Sequence, residues 1–284
     1  MRYIDPEGRT RLGRFVDDHV IDAAPADSVG FDARPESWSL IENARGMQFG
    51  VDEIRLLAPT NPGKVLCVGS NYRDHIEETG VQQPQYPIIF VKLSSAIIGP
   101  GEDIVLPYDE PQPDWEAELA LVIGRRTRRA TGAQALAAVG GLTAFNDVSG
   151  RYGQLTTGLG QYTRGKSFDT FGPLGPAVVH PEDLDGAALD IGLVLNGETM
   201  QQSNTKHLLF DAQALIEWVS AASTLFPGDV IATGTPGGVG IALDPPRYLA
   251  DGDVVDVVIE GIGTLRNPVR AEPAPTMAGG VASK

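Results

Sequence analysis

Apolar residues in this chain come in short bursts separated by glycine and proline. From residue 64 onward the runs KVLCVG, PIIFVKL, IVLP, WEAELALVIG, DIGLVLNG, GDVIATG and DVVDVVIEGIG follow one another, as strands bounded by turns do. Helical patterns are fewer: a short NYRDHIEETG (71–80), then GAQALAAV (132–139) and FDAQALIEWVSAASTLF (210–226), where Leu215, Val219 and Ala222 recur at helical spacing. Strands and helices mix without a regular strand-helix-strand alternation, which argues against a Rossmann sheet. The expectation is a β-dominated α+β fold. Ahead of it, RLGRFV and HVIDAA read as strands of a small N-terminal α/β domain, and the two prolines and glycine of LLAPTNPGK mark a boundary, giving units over 1–60 and 61–270. The small, Pro/Gly-rich AEPAPTMAGGVASK predicts a disordered tail over 271–284.

With 284 residues and 42% hydrophobic content, the chain can bury one sizeable core and a second small one. A formal net charge of −15 repels a phosphate backbone, so nucleic acid is not an expected partner. The one basic run, RRTRR, follows a strand and reads as a solvated turn. No apolar run approaches the roughly 18–20 residues that span a bilayer, and the first residues are charged with no apolar leader. A cytoplasmic protein without a membrane partner is expected. The single cysteine, Cys67, lies in an apolar strand run and excludes an internal disulfide.

Within WEAELALVIG, alternation puts Glu116, Glu118, Ala120 and Val122 on one face and Trp115, Ala117, Leu119, Leu121 and Ile123 on the other. The two glutamate Cα atoms then stand about 7 Å apart. Neighbouring carboxylates in a low-dielectric site repel unless a proton, a cationic side chain or a metal joins them. Asp147, closing the apolar run of LTAFNDVSG, is a third candidate. Three carboxylates without cysteine make an all-oxygen set suited to Mg²⁺ or Mn²⁺, with Ca²⁺ possible and Zn²⁺ disfavoured. In SNYRDHIEETG, Ser70 and Asn71 are the expected caps and Gly80 the stop of a short helix. His75 and Glu78 then share a face at i and i+3, where the carboxylate can orient the imidazole toward a bound water.

Taken in order, KVLCVGSNYRDHIEE, FVKLSSAIIGPGEDIVLP, DWEAELALVIG, NDVSGRYGQ, RGKSFDTFGPLGP, LNGE, PGDVIATGTPGGVG and GIGTLRNPV resemble the fumarylacetoacetate hydrolase family over about residues 60–270. The resemblance implies a mixed β-sandwich roll, a homodimer, and a Mg²⁺ or Mn²⁺ ion on Glu116, Glu118 and Asp147. It places the water-activating pair on His75 and Glu78 and the active-site lysine on Lys166. Substrate contacts would fall on Gln154 and Thr235, with Arg151 and Tyr72 beside them. Tyr152 departs from the family pattern, standing where an acidic residue is common, and an aromatic there is expected to reshape the pocket. The implied activity is metal-dependent hydrolysis of a C–C bond in an acylpyruvate-like 1,3-dicarbonyl or 2-oxo acid. The alternatives are decarboxylation or isomerisation of an unsaturated 2-oxo diacid in aromatic catabolism, and a non-catalytic protein that binds metal and 2-oxo acid.

Overall fold

The structure is a computed structural model that describes residues 1–274. Strands β1 (Arg2–Ile4), β2 (Thr10–Val16), β3 (His19–Pro25), β4 (Gln48–Gly50) and β5 (Arg55–Leu57) form an antiparallel sheet in the order β4-β3-β2-β1-β5. The expected strands RLGRFV and HVIDAA are β2 and β3. Val16 pairs with His19 across a two-residue turn in which Asp17 has φ 54°, the left-handed geometry that tight hairpins demand and Asp tolerates. Helix α1 (Pro35–Glu42) opens on a proline, where a missing N–H leaves no bond unmade. Tyr3, Val20 and Phe49 close a small core of this sheet. We propose a division between folding units near residue 60, between β5 and the next strand.

The rest of the chain builds a sandwich. Strands β6 (Val65–Gly69), β7 (Ile88–Lys92), β8 (Ile97–Ile98), β11 (Ala117–Ile123), β12 (Val139–Asn146), β14 (Gly172–Val179) and β17 (Val230–Ala232) make a seven-stranded mixed sheet ordered β7-β6-β17-β11-β12-β14-β8. Five more, β9 (Ile104–Leu106), β15 (Asp190–Leu195), β16 (Glu198–Asn204), β18 (Val254–Ile259) and β19 (Gly263–Ala271), pair as β16-β15-β18-β19-β9. A two-stranded ribbon joins β10 (Pro113–Asp114) to β13 (Ser149–Gly150).

Strand β11 shows why its sequence is nearly all apolar. Leu119, Leu121 and Ile123 face the five-stranded sheet and pack with Ile191, Leu193, Val255 and Val257. Ala120 and Val122 face the other way and pack with Leu12, Phe31 and Ile41 of the N-terminal unit. Each fully buried Leu or Ile contributes about 2 kcal/mol, so the middle strand is covered on both faces. The run begins its regular pairing at Ala117 rather than Trp115 because side chains replace the ladder there. The Glu116 N–H donates to Asn146 Oδ1 at 3.0 Å and that of Ala117 to Gln201 Oε1 at 2.9 Å.

Four helices punctuate the sheets: α2 (Arg73–Thr79), α3 (Ala133–Leu136), α4 (Tyr162–Lys166) and α5 (Ala212–Ala222). Gly80 ends α2 with φ 65° and an N–H bonded to Ile76 O at 2.9 Å, as expected. The expected caps are corrected. Tyr72 occupies the N-cap without a side-chain bond, and the Asn71 amide instead donates to the carbonyls of Phe210 and Thr233 at 3.0 and 2.7 Å. On α5 the buried face is Leu215, Ile216, Val219 and Ser220, while Ala222, expected on that face, is exposed. Cys67 is buried and unpaired. Among the described residues no helix is long and apolar enough to cross a membrane. The expected tail begins too early at its first residues: Ala271 ends β19 and the Glu272 N–H donates to Leu106 O at 2.8 Å. Residues 275–284 lie outside the described residues.

Candidate active site

Antiparallel pairing of β11 with β12 sets Ala117 opposite Asn146 and Glu118 opposite Phe145, so both strands end at one place. Asp147 follows directly, its N–H held by Glu116 O at 2.9 Å. This brings Glu116, Glu118 and Asp147 together, with one carboxylate oxygen of each within 4.8 Å of the others. All three are buried. Such crowding is unfavourable without cations, and three are supplied. Lys166, at the end of α4, lies 2.5 Å from Glu116 Oε2 and 2.9 Å from Asp147 Oδ2. Arg151 joins Asp114 Oδ2 at 2.8 Å to Glu116 Oε1 at 2.7 Å. Lys92, the last residue of β7 and wholly buried, has its Nζ 2.9 Å from Asp147 Oδ1.

The three carboxyl groups are held differently. Burial pushes the Glu116 carboxyl up, but Lys166 and Arg151 outweigh it and hold it down at about 2. Burial, reinforced by Asp147 and Glu116, drives Glu118 well above the carboxylate range. One N–H, from Gly234 at 2.8 Å, reaches Glu118 Oε2. That loop needs glycine, since Gly234 has φ +103° and a Cβ there would stand 2.8 Å from Asn71 Cβ. Burial works to strip the protons of Lys166 and Arg151, yet their anionic partners raise both groups above their ordinary values. Asp147 Oδ1 accepts no hydrogen bond, although it is buried.

Beside this cluster lies a cavity of about 410 Å³ whose polar wall includes His75, Glu116, Arg151, Gln154, Lys166 and Thr235. Helix α2 carries His75 and Glu78 to it on one face, as their spacing predicts. Nδ1 of His75 stands 3.6 Å from Glu78 Oε2, too far for a hydrogen bond, and is buried without a partner. Glu78 is turned elsewhere. It accepts the N–H of Gly238 on both oxygens, at 2.9 and 3.0 Å, while Gly238 O takes the indole N–H of Trp115 at 3.0 Å. Gly238 has φ +96°, and a Cβ would meet Met200 O at 2.1 Å.

The profile of the fumarylacetoacetate hydrolase C-terminal domain matches residues 64–270. The chain belongs to the fumarylacetoacetate hydrolase family. A mitochondrial oxaloacetate tautomerase of Bos taurus is 46% identical over 236 residues, covering 81% of this chain and 75% of the relative. A fumarylacetoacetate hydrolase domain-containing protein 2 homolog of Dictyostelium discoideum is 37% identical and covers 93% of this chain and 94% of its own. Among solved structures, a 5-carboxymethyl-2-hydroxymuconate delta-isomerase from Mycobacterium smegmatis superposes with a TM-score of 0.79 at 39% identity, covering 96% of this chain and 98% of that one. A fumarylacetoacetate hydrolase from Exiguobacterium antarcticum gives a TM-score of 0.84 at 38% identity, over 96% of this chain and 100% of that one. The fumarylacetoacetate hydrolase fold is thus the mixed β-sandwich roll implied by the sequence resemblance.

Seven of the ten residues singled out in the sequence face the cavity: His75, Glu78, Glu116, Arg151, Gln154, Lys166 and Thr235. Glu118 and Asp147 stand behind Glu116. Tyr72 is not among the residues that line the cavity; it is fully buried in the sandwich core with its hydroxyl unpartnered. Tyr152 also lies outside the cavity wall, corrected from the expectation that it reshapes the pocket. Its N–H donates to Glu110 Oε1 at 3.1 Å and its ring is part-exposed. Sequence reasoning missed Lys92, Asp114 and Gln201, the last of which donates to Thr235 Oγ1 at 2.9 Å. The donor set fits a hard divalent cation: three convergent carboxylates, all oxygen, one with an unclaimed buried lone pair.

Proposed function

We propose that this enzyme of the fumarylacetoacetate hydrolase superfamily moves a proton at the carbon beside the ketone of a small 2-oxo dicarboxylic acid, interconverting its tautomers or double-bond isomers. The observation that carries the reading is the His75 imidazole, which lines one cavity with Glu116 and Lys166. One base beside a cation is sufficient for enolisation. Names of similar proteins, tautomerase and isomerase, support it over the hydrolysis favoured by the motifs alone.

Glu116, Glu118 and Asp147 would hold a Mg²⁺ or Mn²⁺ ion, which when bound polarises the oxygens of a 2-oxo acid. His75 takes the proton from the substrate carbon and returns it at the other end of the enol. Glu78 stands 3.6 Å from the imidazole on the same helix face. Lys166, kept cationic by its anionic neighbours, steadies the developing negative charge on oxygen. Gln154 and Thr235, which line the same cavity, orient the acid.

Hydrolytic C–C cleavage of an acylpyruvate is the second reading. His75 would then deprotonate a water instead, and the likeness to the Exiguobacterium antarcticum hydrolase favours it. The test is NMR of oxaloacetate in D₂O with the purified, Mn²⁺- or Mg²⁺-supplied protein. Faster C3 exchange and keto-enol equilibration at constant mass, lost in His75→Ala, supports the proposal. Release of CO₂ would make the protein a decarboxylase. An inert response to oxaloacetate, with an acylpyruvate split to pyruvate, would establish hydrolysis. A homodimer and a cytoplasmic site belong to the same proposal; the Bos taurus relative is named as mitochondrial.

A further inference from the structure

Lys92 has no place in the proton transfer, yet it is the most deeply buried cation of the site. Its ammonium faces three carbonyls, Val148 O at 3.1 Å, Phe171 O at 2.7 Å and the close Lys166 O. An ammonium has three hydrogens, and these carbonyls take all of them. None is left for Asp147 Oδ1, which sits 2.9 Å away and accepts no hydrogen bond. Lys92 therefore gives Asp147 a positive charge without occupying its lone pairs.

We propose that Lys92 is a positioning residue that holds the carboxylate cluster assembled before any cation arrives, so that the fold does not depend on metal. The inference rests on reading Glu116, Glu118 and Asp147 as a cation site. With Lys92, Lys166 and Arg151 in place, three buried cations stand against the three carboxylates, and Asp114 shares Arg151. Four carboxylates thus stand among three cations, which offset most of the negative charge of the metal-free site. Removing Lys92 leaves one further buried negative charge uncompensated, which a bound divalent ion relieves.

The experiment compares thermal unfolding in EDTA and in Mn²⁺ for the wild type, Lys92→Met, and the double variant Lys92→Met with Asp147→Asn, with Mn²⁺ binding followed by calorimetry. The wild type is expected to lose only a few degrees in EDTA. Lys92→Met is expected to lose about 10 °C more while binding Mn²⁺ roughly tenfold more tightly. The double variant, which removes the orphaned charge, is expected to recover stability in EDTA. Equal EDTA sensitivity in wild type and Lys92→Met would overturn the proposal. Should Lys92→Met fail to fold in either condition, the double variant decides: its folding supports charge balance, and its failure reduces Lys92 to a tripod of hydrogen bonds. A wild type that binds no Mn²⁺ would instead sink the cation site itself, while the comparison in EDTA still reads the role of Lys92.

Discussion

Asp22 and Asp147 are both buried aspartates flanked by cations, and they do opposite things with their lone pairs. In the N-terminal sheet, Asp22 Oδ1 accepts from Tyr3 Oη at 2.6 Å and Arg11 Nε at 2.8 Å, and Oδ2 takes the second arm of the guanidinium. Every strong position is filled. Asp147 is more deeply enclosed, yet Oδ1 takes no hydrogen bond and two further carboxylates crowd it. A filled network fixes a fold, whereas an unfilled one stores the capacity to bind. Burial and charge alone do not separate the two; counting donors against acceptors does.

The comparison can be broken or sharpened in decreasing order of effect. Glu118→Gln should abolish Mn²⁺ binding and lower turnover about 1,000-fold or more, the several kcal/mol that a bound ion supplies. Its melting temperature in EDTA should hardly change, because burial already pushes Glu118 toward its neutral form; calorimetry and unfolding read both. His75→Ala should keep its metal and lose about 100- to 10,000-fold in rate, measured by tautomerisation at saturating Mn²⁺. At the satisfied site the pattern inverts. Asp22→Asn should destabilise the fold by about 2 kcal/mol, as charged hydrogen bonds do, with metal binding unchanged.

That loss has a pH signature. Burial raises the Asp22 carboxyl, but the hydrogen bonds from Arg11 and Tyr3 prevail and leave it below its ordinary value. A group with a lowered folded-state value binds its proton more readily when unfolded. Its contribution is therefore complete above the ordinary carboxylate range and vanishes as pH falls through the folded value. Denaturant titrations of wild type and Asp22→Asn should converge in acid and separate toward neutral pH. Tyr152→Phe should change rate and stability least, within about 0.5 kcal/mol, since its ring does not line the cavity. A larger change in rate would return Tyr152 to the pocket.

How much of this was legible in the chain follows from where the partners lie. The opposite faces of WEAELALVIG were readable because alternation is local, and the two cores on either side of β11 follow it residue by residue. His75 and Glu78 were readable for the same reason at helical spacing. Lys92 was not: at the end of PIIFVKL it looks like any lysine closing a strand, and its acceptors lie 56, 74 and 79 residues away. Asp114 hides in a polar stretch for a like reason, because the Gly240 N–H that meets it at 2.7 Å is 126 residues distant. Local periodicity reveals which face a residue takes. It says nothing of which remote carbonyl or amide will meet it there.

The peptide of Gly238 ties Glu78, and with it helix α2, to the scaffold through one forked contact, while Glu118 stands on a strand buried from both sides. The helix that carries the base and the strand that carries Glu118 are thus held by separate contacts. A change at Gly238 would therefore shift the helix that carries His75 while leaving the strand under Glu118 in place.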